Sequence, residues 1–315
     1  MPFESTRARV GLVIEARETM AAIAAIADAE AAGVEQVWMT QSPPTLDALT
    51  LYAAAATRTM RIRMGTSIVP TYPRHPLALA QQALTVSDIA PGRLRLGVGP
   101  SHRHAIEGVY GLQETAPLAH LSEYVAVLHA ALQTGRVEYH GDYFNINASS
   151  LRTANVPVLI SALREGAFRL AGEIADGAIS WLCPVPYLLN KALPALRAGA
   201  ATSGRSAPPL VAHIPVALSE DEDAVLTAAR KRIQFYSTAP FYSRMFADAG
   251  LPVSPDGAGL DDLARSLVVF GSESSVTRQL AALLDQGLDE LLVMLIPVQD
   301  AARERLQLAR LIGAM

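Results

Sequence analysis

Short runs of aliphatic and β-branched residues alternate along the chain with longer Ala- and Leu-rich runs whose apolar positions recur at helical spacing. The short runs predict eight strands: Val10–Ile14, Gln36–Thr40, Arg61–Val69, Arg93–Val98, Pro157–Ser161, Gly177–Leu182, Leu210–Leu218 and Glu290–Ile296. The first three strands are each followed by a predicted helix, at Thr19–Ala32, Leu46–Thr57 and Pro76–Ile89. Strand and helix therefore alternate along the chain.

This alternation predicts a closed parallel (β/α)8 barrel that forms one domain over residues 1–315. A doubly wound open sheet is the alternative, and it usually carries a Gly-rich turn after its first strand. Here the first strand leads into Ile14-Glu15-Ala16-Arg17, which offers no glycine for a pyrophosphate. The barrel is therefore the favoured fold.

Two insertions interrupt the pattern, one after strand 4 and one after strand 7. Within residues 134–155, the stretch Val137–Phe144 predicts a hairpin that turns at His140-Gly141-Asp142. Residues 236–262 carry three prolines and three glycines, which predicts a mobile insertion between strands 7 and 8. Such insertions serve in barrel enzymes as lids, and a dimer contact or a plain surface loop is the alternative.

Composition narrows the possible functions. Charged residues make up 18% of the chain and the net charge is −4, so neither a nucleic-acid-binding face nor a basic membrane patch is expected. The single cysteine, Cys183, excludes a disulfide within the chain. The pattern shows no signal peptide and no apolar stretch of membrane-spanning length, so a cytoplasmic protein is expected.

The strand 3 and strand 4 region carries the most specific motif, RIRMGTSIVPTYPRHPLALAQQALTVSDIAPGRLRLGVGPSH. It resembles the luciferase-like superfamily, and within it the branch that uses coenzyme F420, a deazaflavin hydride carrier. The strand 6 segment LAGEIADGAISWL and the C-terminal GSESSVTRQLAALLDQGLDELLVMLIP are similar to the same family. The resemblance extends over nearly the whole chain.

The resemblance implies an oxidoreductase that passes a hydride between coenzyme F420 and a small organic substrate. It also implies a homodimer and a non-prolyl cis peptide between Ser67 and Ile68, behind the deazaflavin ring. An FMN-dependent monooxygenase supplied with reduced flavin by a partner reductase is the main alternative. A catalytically silent flavin-binding protein is a third possibility.

The strand ends offer residues suited to such a cofactor. Gly97 and Gly99 lack side chains, which would let a flat ring lie against the backbone, with Val98 and Ile68 as apolar contacts. Tight packing within a parallel strand would explain the same glycines. After strand 5 a helix begins near Arg164, and its free N–H groups would bind the cofactor phosphate, together with the Ser161 hydroxyl and the Arg164 cation. A plain helix start with an exposed arginine is the alternative.

The sequence departs from its relatives at the end of strand 2. Gln41 and Ser42 stand where many F420 enzymes have an Asp-His pair, so that proton donor is missing. We expect Gln41 and Ser101 to hydrogen-bond polar atoms of the cofactor, and His102 is the best placed titratable group beyond strand 4. His102-Arg103-His104 resembles a metal motif, but no other strand end offers a clear ligand, so no metal site is expected.

Overall fold

The computed structural model describes residues 5–15, 17–43, 45–149 and 152–315. Its strands are β1 Val10–Val13, β2 Gln36–Met39, β3 Arg63–Thr66, β4 Val69–Pro70, β5 Leu94–Gly99, β6 Val137–His140, β7 Asn145–Ala148, β8 Val158–Ser161, β9 Gly177–Ile179, β10 Leu210–Ala217, β11 Val269–Phe270 and β12 Glu290–Leu295. All eight predicted strands are present, with small shifts at their ends.

Eight of these strands close into a parallel barrel in the order β1-β2-β3-β5-β8-β9-β10-β12. Closure is direct, because β1 pairs with β12 in the register Val10 to Leu291, and β9 pairs with β10. The two short strands β4 and β11 pair with β5 and β10. The predicted barrel is therefore confirmed, and the open-sheet alternative is excluded.

The helices surround this barrel. They are α1 Thr19–Ala31, α2 Ala48–Ala56, α3 Pro76–Ile89, α4 Arg103–Gly108, α5 Pro117–His129, α6 Glu165–Ile174, α7 Val185–Tyr187, α8 Leu193–Thr202, α9 Glu222–Thr238, α10 Pro240–Asp248, α11 Leu260–Leu267, α12 Glu273–Asp285 and α13 Ala301–Gly313. Asp47 and Asp221 cap α2 and α9 by accepting backbone N–H groups. Within the described residues, no helix has both the length and the apolar character needed to cross a membrane.

Strand 3 was predicted as one run over Arg61–Val69, but the structure divides it. β3 ends at Thr66 and β4 begins at Val69, and the peptide bond between Ser67 and Ile68 is cis, as predicted. The interruption places Ser67 and Ile68 at the carboxyl ends of the barrel strands.

A buried ionic network fills the opposite end of the barrel. Arg95 makes two hydrogen bonds to the Glu290 carboxylate, at 2.6 and 2.8 Å, and a third to Gln36. Its guanidinium also lies 5.0 Å from the ring centre of Trp38. Glu290 is 1% exposed, so this pair is held almost without solvent and anchors β5 to β12.

The predicted hairpin is confirmed. β6 and β7 pair in antiparallel fashion in the register Val137 to Ala148, and the turn comprises residues 141–144. Glu123 on α5 fixes this turn, because its carboxylate accepts the N–H groups of residues 142, 143 and 144 at 2.8, 3.0 and 3.2 Å.

The predicted insertion at residues 236–262 lies between β10 and β12, and it is helical for much of its length. Residues 236–238 complete α9, and α10 follows at Pro240–Asp248 with Met245 and Phe246 fully buried. Pro240 occupies the first turn of α10, where proline costs no hydrogen bond because the N–H there has no helical partner. The segment is therefore a packed helical wall beside the barrel mouth.

Candidate active site

A cavity of about 1570 Å³ opens at the carboxyl ends of the barrel strands, between their loops and the α9–α10 wall. The predicted residues that line it are Gln41, Ser67, Ile68, Ser101, His102, Ser161 and Arg164. The structure thus brings together, at one end of the barrel, side chains spread over more than 120 positions. Ligand sites of (β/α)8 enzymes lie at this end.

The predicted glycine motif contributes in another way than expected. A Cβ at Gly97 would overlap the Thr66 carbonyl and the Ile179 side chain, and Val98 is fully buried. Neither residue lines the cavity, so the open backbone expected at Gly97 is wrong, because neighbouring strands fill that space. At Gly99 a Cβ would overlap the hydroxyl of Ser161, so this glycine leaves room for a residue of the cavity wall.

Ser67 and Ile68 form the part of the wall that follows β3. Ser67 is 6% exposed, and its hydroxyl is buried without a hydrogen-bond partner among the described residues. A buried hydroxyl without a partner costs free energy, which a bound polar group would recover. Ile68 beside it offers an apolar surface, so the two residues together fit a flat ring with polar edge atoms.

The start of α6 forms a second part of the wall, next to Ser161. The Arg164 carbonyl accepts the N–H groups of Ala167 and Phe168, at 2.8 and 3.1 Å. The N–H groups of residues 165 and 166 precede the helical hydrogen bonds, and they lie at the positive end of the helix dipole. The Arg164 guanidinium is bonded to Asp248 on α10 at 3.2 Å.

Gln41 lies in the cavity wall but is largely engaged within the protein. Its amide nitrogen donates to Asp47 at 3.3 Å, and its side-chain oxygen accepts the N–H of Ala48 at 3.3 Å. Because an amide nitrogen carries two hydrogens, one donor remains for a ligand. Asp47 is in turn paired with Arg74 at 2.6 Å, which fixes the Gln41 side chain.

His102 sits in an aromatic environment at the start of α4. Its ring centre lies 5.9 Å from that of Tyr236, 5.8 Å from that of Tyr242 and 5.7 Å from that of His104. Burial lowers the pKa of His102, and the nearby His104 adds to this shift. The imidazole is therefore mostly neutral near pH 7 and gains a proton only in more acidic solution.

Glu114 is a residue of this site that sequence reasoning missed. It lines the cavity, is 7% exposed, and has one carboxylate oxygen without a partner in the described part of the chain. Burial raises the pKa of Glu114, partly offset by Arg103, and Glu107 raises it further. Residues 109–116 follow no regular pattern of apolar and polar positions, so burial of this carboxyl group could not be predicted.

Trp181 and His213 form a second feature that was missed. Their rings are stacked with centres 3.7 Å apart, Trp181 lines the cavity, and His213 is fully buried. Trp181 stands at the end of predicted strand 6, where function was expected. No sequence pattern indicates its contact with His213, which lies 32 positions further along the chain.

Potential metal ligands and the thiol were also located in the described part of the chain. Across the described ranges, no group of three or more His, Cys, Asp or Glu side chains is arranged to hold a metal ion. Cys183 is buried, and burial raises its pKa to about 12, so the thiol stays protonated.

Comparison with known proteins identifies the family. Residues 5–290 match the family model of luciferase-like monooxygenases, so the chain belongs to this family. It is 28% identical over 285 residues to a protein named F420-dependent glucose-6-phosphate dehydrogenase from Nocardia farcinica, covering 85% of this chain and 83% of the relative. The resemblance predicted from strands 3 and 4 is therefore confirmed.

Solved structures show the same barrel. An F420-dependent secondary alcohol dehydrogenase in complex with an F420-acetone adduct superposes with a TM-score of 0.80 at 20% identity, covering 97% of this chain and 98% of the other. A type II Baeyer-Villiger monooxygenase from Pseudomonas putida in complex with FMN superposes with a TM-score of 0.75 at 18% identity, covering 97% and 96%. At these identities the likeness establishes the fold alone.

Proposed function

We propose that the protein is a coenzyme F420-dependent oxidoreductase acting on a small organic substrate. The observation that carries this proposal is the composition of the mouth cavity, which joins Ser67 and Ile68 to the start of α6 in one space of about 1570 Å³. Ligand sites usually have about 300–1,000 Å³, so this cavity has room for a cofactor and a substrate together. The F420-dependent relative that aligns with 85% of the chain supports the choice of cofactor.

The residues that line the cavity fit coenzyme F420. Ile68 would contact the deazaflavin ring, and the unpartnered Ser67 hydroxyl and the free Gln41 N–H would bond its polar atoms. Ser161 and the N–H groups at the start of α6 would hold the phosphate. Ser101 would bond the polar chain between ring and phosphate. We assign Arg164 a smaller contribution to phosphate binding, because its ion pair with Asp248 already neutralises part of its charge.

When bound, the cofactor in its reduced form supplies a hydride, and the chain's own residues must manage the proton. We assign this role to His102, since its side chain faces the cavity among aromatic rings. Protonated His102 donates to the substrate in reduction, and neutral His102 accepts the proton in oxidation. The aromatic side chains around it restrict water, which strengthens each polar contact inside the cavity.

Reactions with two reduced cofactors test this proposal. The purified protein is mixed without oxygen with reduced F420 and a panel of ketones and enones, and separately with reduced FMN in the presence of oxygen. Oxidation of F420 by a panel member, with no protein-dependent oxygenation of any panel member by reduced FMN and oxygen, is the expected result. An oxygenated product formed with FMN alone, and absent from a protein-free control, would establish the monooxygenase instead. Binding of either cofactor without turnover would indicate a silent binding protein.

We also infer one domain over residues 1–315 and a homodimer. The span of the barrel strands from residue 10 to residue 295 supports a single domain. The alanine-rich outer helices allow close approach between subunits, and Met20 on α1, 59% exposed, is a candidate contact. Light scattering at micromolar concentration should give twice the 33.5 kDa chain mass. A monomer mass would contradict the dimer.

A further inference from the structure

The stacked rings of Trp181 and His213 leave two buried N–H donors without acceptors. His213 Nδ1 accepts the backbone N–H of Leu182 at 3.3 Å, so the proton of the neutral ring is on Nε2. Burial lowers the pKa of His213 to about 3, with a contribution from Arg232, which keeps the ring neutral. Within the described residues, neither His213 Nε2 nor Trp181 Nε1 has a hydrogen-bond partner.

Only Trp181 of this pair lines the cavity, so its N–H is the donor available to a bound molecule. Burial raises the pKa of the Tyr236 hydroxyl beside the indole, and a side-chain hydrogen bond with Trp181 partly offsets this shift. The contact falls short of full hydrogen-bond geometry, so the indole N–H is only weakly engaged and a better-placed ligand oxygen would replace the Tyr236 hydroxyl. A buried donor without an acceptor is a cost that an oxygen atom of a ligand would remove.

Aromatic side chains surround this donor. Tyr236 and Tyr242 have ring centres 4.9 Å apart, and both line the cavity with Trp181. Phe235 and Phe241, also in the lining, are 51% and 60% exposed at its rim. Stacked and edge-on contacts with such rings favour a flat apolar molecule.

The charges of the cavity wall balance. The lining includes the carboxylates Glu15, Glu107, Glu114 and Glu165 and the cations Arg103, Arg164, Lys231 and Arg232. Each of the three arginines is paired with a carboxylate: Arg103 with Glu107 at 4.0 Å, Arg164 with Asp248, and Arg232 with Glu15. Of these four cations only Lys231 has no carboxylate partner among the described residues, so a strongly anionic substrate such as a sugar phosphate would have to reach Lys231 or break one of these pairs.

We propose that the substrate of this site is an uncharged, flat, conjugated carbonyl compound whose oxygen accepts the Trp181 N–H and whose rings pack against Tyr236 and Tyr242. The inference rests on the proposed function for the reaction, but the recognition it describes is a property of the cavity itself. It also predicts that glucose 6-phosphate, the compound in the name of the Nocardia farcinica relative, is not bound here.

Calorimetric titration with a matched pair of probes tests this subsite. 1-Tetralone and tetralin share one bicyclic skeleton, and only the ketone carries an acceptor. In the parent protein the ketone should bind at least about fivefold more tightly, the ratio that one hydrogen bond to a buried donor gives. Trp181→Phe keeps an aromatic ring and removes the N–H, so it should abolish this ratio while tetralin binding stays the same.

Three results of these titrations would contradict the proposed substrate subsite. Equal binding of the two probes to the parent, a ratio that persists in Trp181→Phe, or measurable binding of glucose 6-phosphate would each overturn the inference. Phe235→Ala is the second variant, and it should weaken both probes together. All titrations are run with and without oxidised F420. A failure of F420 to bind would therefore refute the proposed function and leave the comparison of the two probes intact.

Discussion

Replacing Glu290 with glutamine removes the charge that neutralises Arg95, at the end of the barrel opposite the cavity. Arg95 is bonded to both oxygens of Glu290, at 2.6 and 2.8 Å, and the two side chains are 12% and 1% exposed. In the variant an amide N–H would face the guanidinium N–H groups, and the arginine charge would stay buried. Removing one partner of a buried ion pair typically costs about 3–5 kcal/mol.

This cost should lower the unfolding temperature of Glu290→Gln by roughly 6–10 °C, at about 2 °C per kcal/mol for a barrel of this size. Glu138→Gln is the matched control, because Glu138 forms a single ion pair with Arg136 on the surface. Exposed pairs contribute about 0–1 kcal/mol, so this control should melt within about 2 °C of the parent.

Differential scanning calorimetry at pH 7 measures both variants under one scan rate. If Glu290→Gln melted within 2 °C of the parent, the network of Arg95, Gln36 and Trp38 would not depend on the carboxylate charge. The buried ion pair would then contribute little to the stability of the barrel.

Three further predictions concern packing, catalysis and acid stability. Gly199→Ala should lower the free energy of unfolding by about 1–3 kcal/mol, because a Cβ there would overlap a carbonyl of α6. The control is Gly108→Ala, whose Cβ would meet no atom within 4 Å, and it should be neutral or slightly stabilising in the same calorimetric melts. The reduction rate should fall as pH rises through the pKa of His102, which lies below its ordinary 6.5, and this inflection should vanish in His102→Gln but persist in His104→Gln. Glu30 should stabilise the fold above pH 4.5 and lose this contribution as pH falls through its lowered pKa, because the backbone N–H groups of residues 60–62 outweigh the raising effect of burial. A parent and a Glu30→Gln variant with the same acid limb in melting temperature against pH would contradict the last expectation.

The barrel could be predicted from the sequence because its signals are local. Runs such as Glu290–Leu295 are buried along almost their whole length, so they read as continuous apolar strands between polar turns. Helix α3 has the bounds predicted for it, since Pro76 marks its first turn. Pro240 likewise lies in the first turn of a helix, α10, although the sequence analysis assigned no helix there.

The candidate site was only partly predictable, because its details depend on contacts between distant residues. Nothing near Gly97 in the sequence shows that Thr66 and Ile179 fill the space above it. The stack of Trp181 on His213 likewise joins two strands. Strand ends could be located from the pattern, but which side chains meet there is set by the closed barrel.

The proposed function requires that F420 binds in the mouth cavity with its phosphate at Ser161 and the start of α6. Equilibrium titration of the cofactor's fluorescence against the parent, Ser161→Asp and Ser206→Asp measures this directly. Ser206 is an exposed residue before β10, at the opposite end of the barrel, and so controls for the added charge. We predict saturable binding to the parent and to Ser206→Asp, and binding about tenfold or more weaker to Ser161→Asp, since a carboxylate would face the phosphate. Equal affinity of all three proteins, or saturable binding of FMN but not of F420, would contradict this mode of cofactor binding.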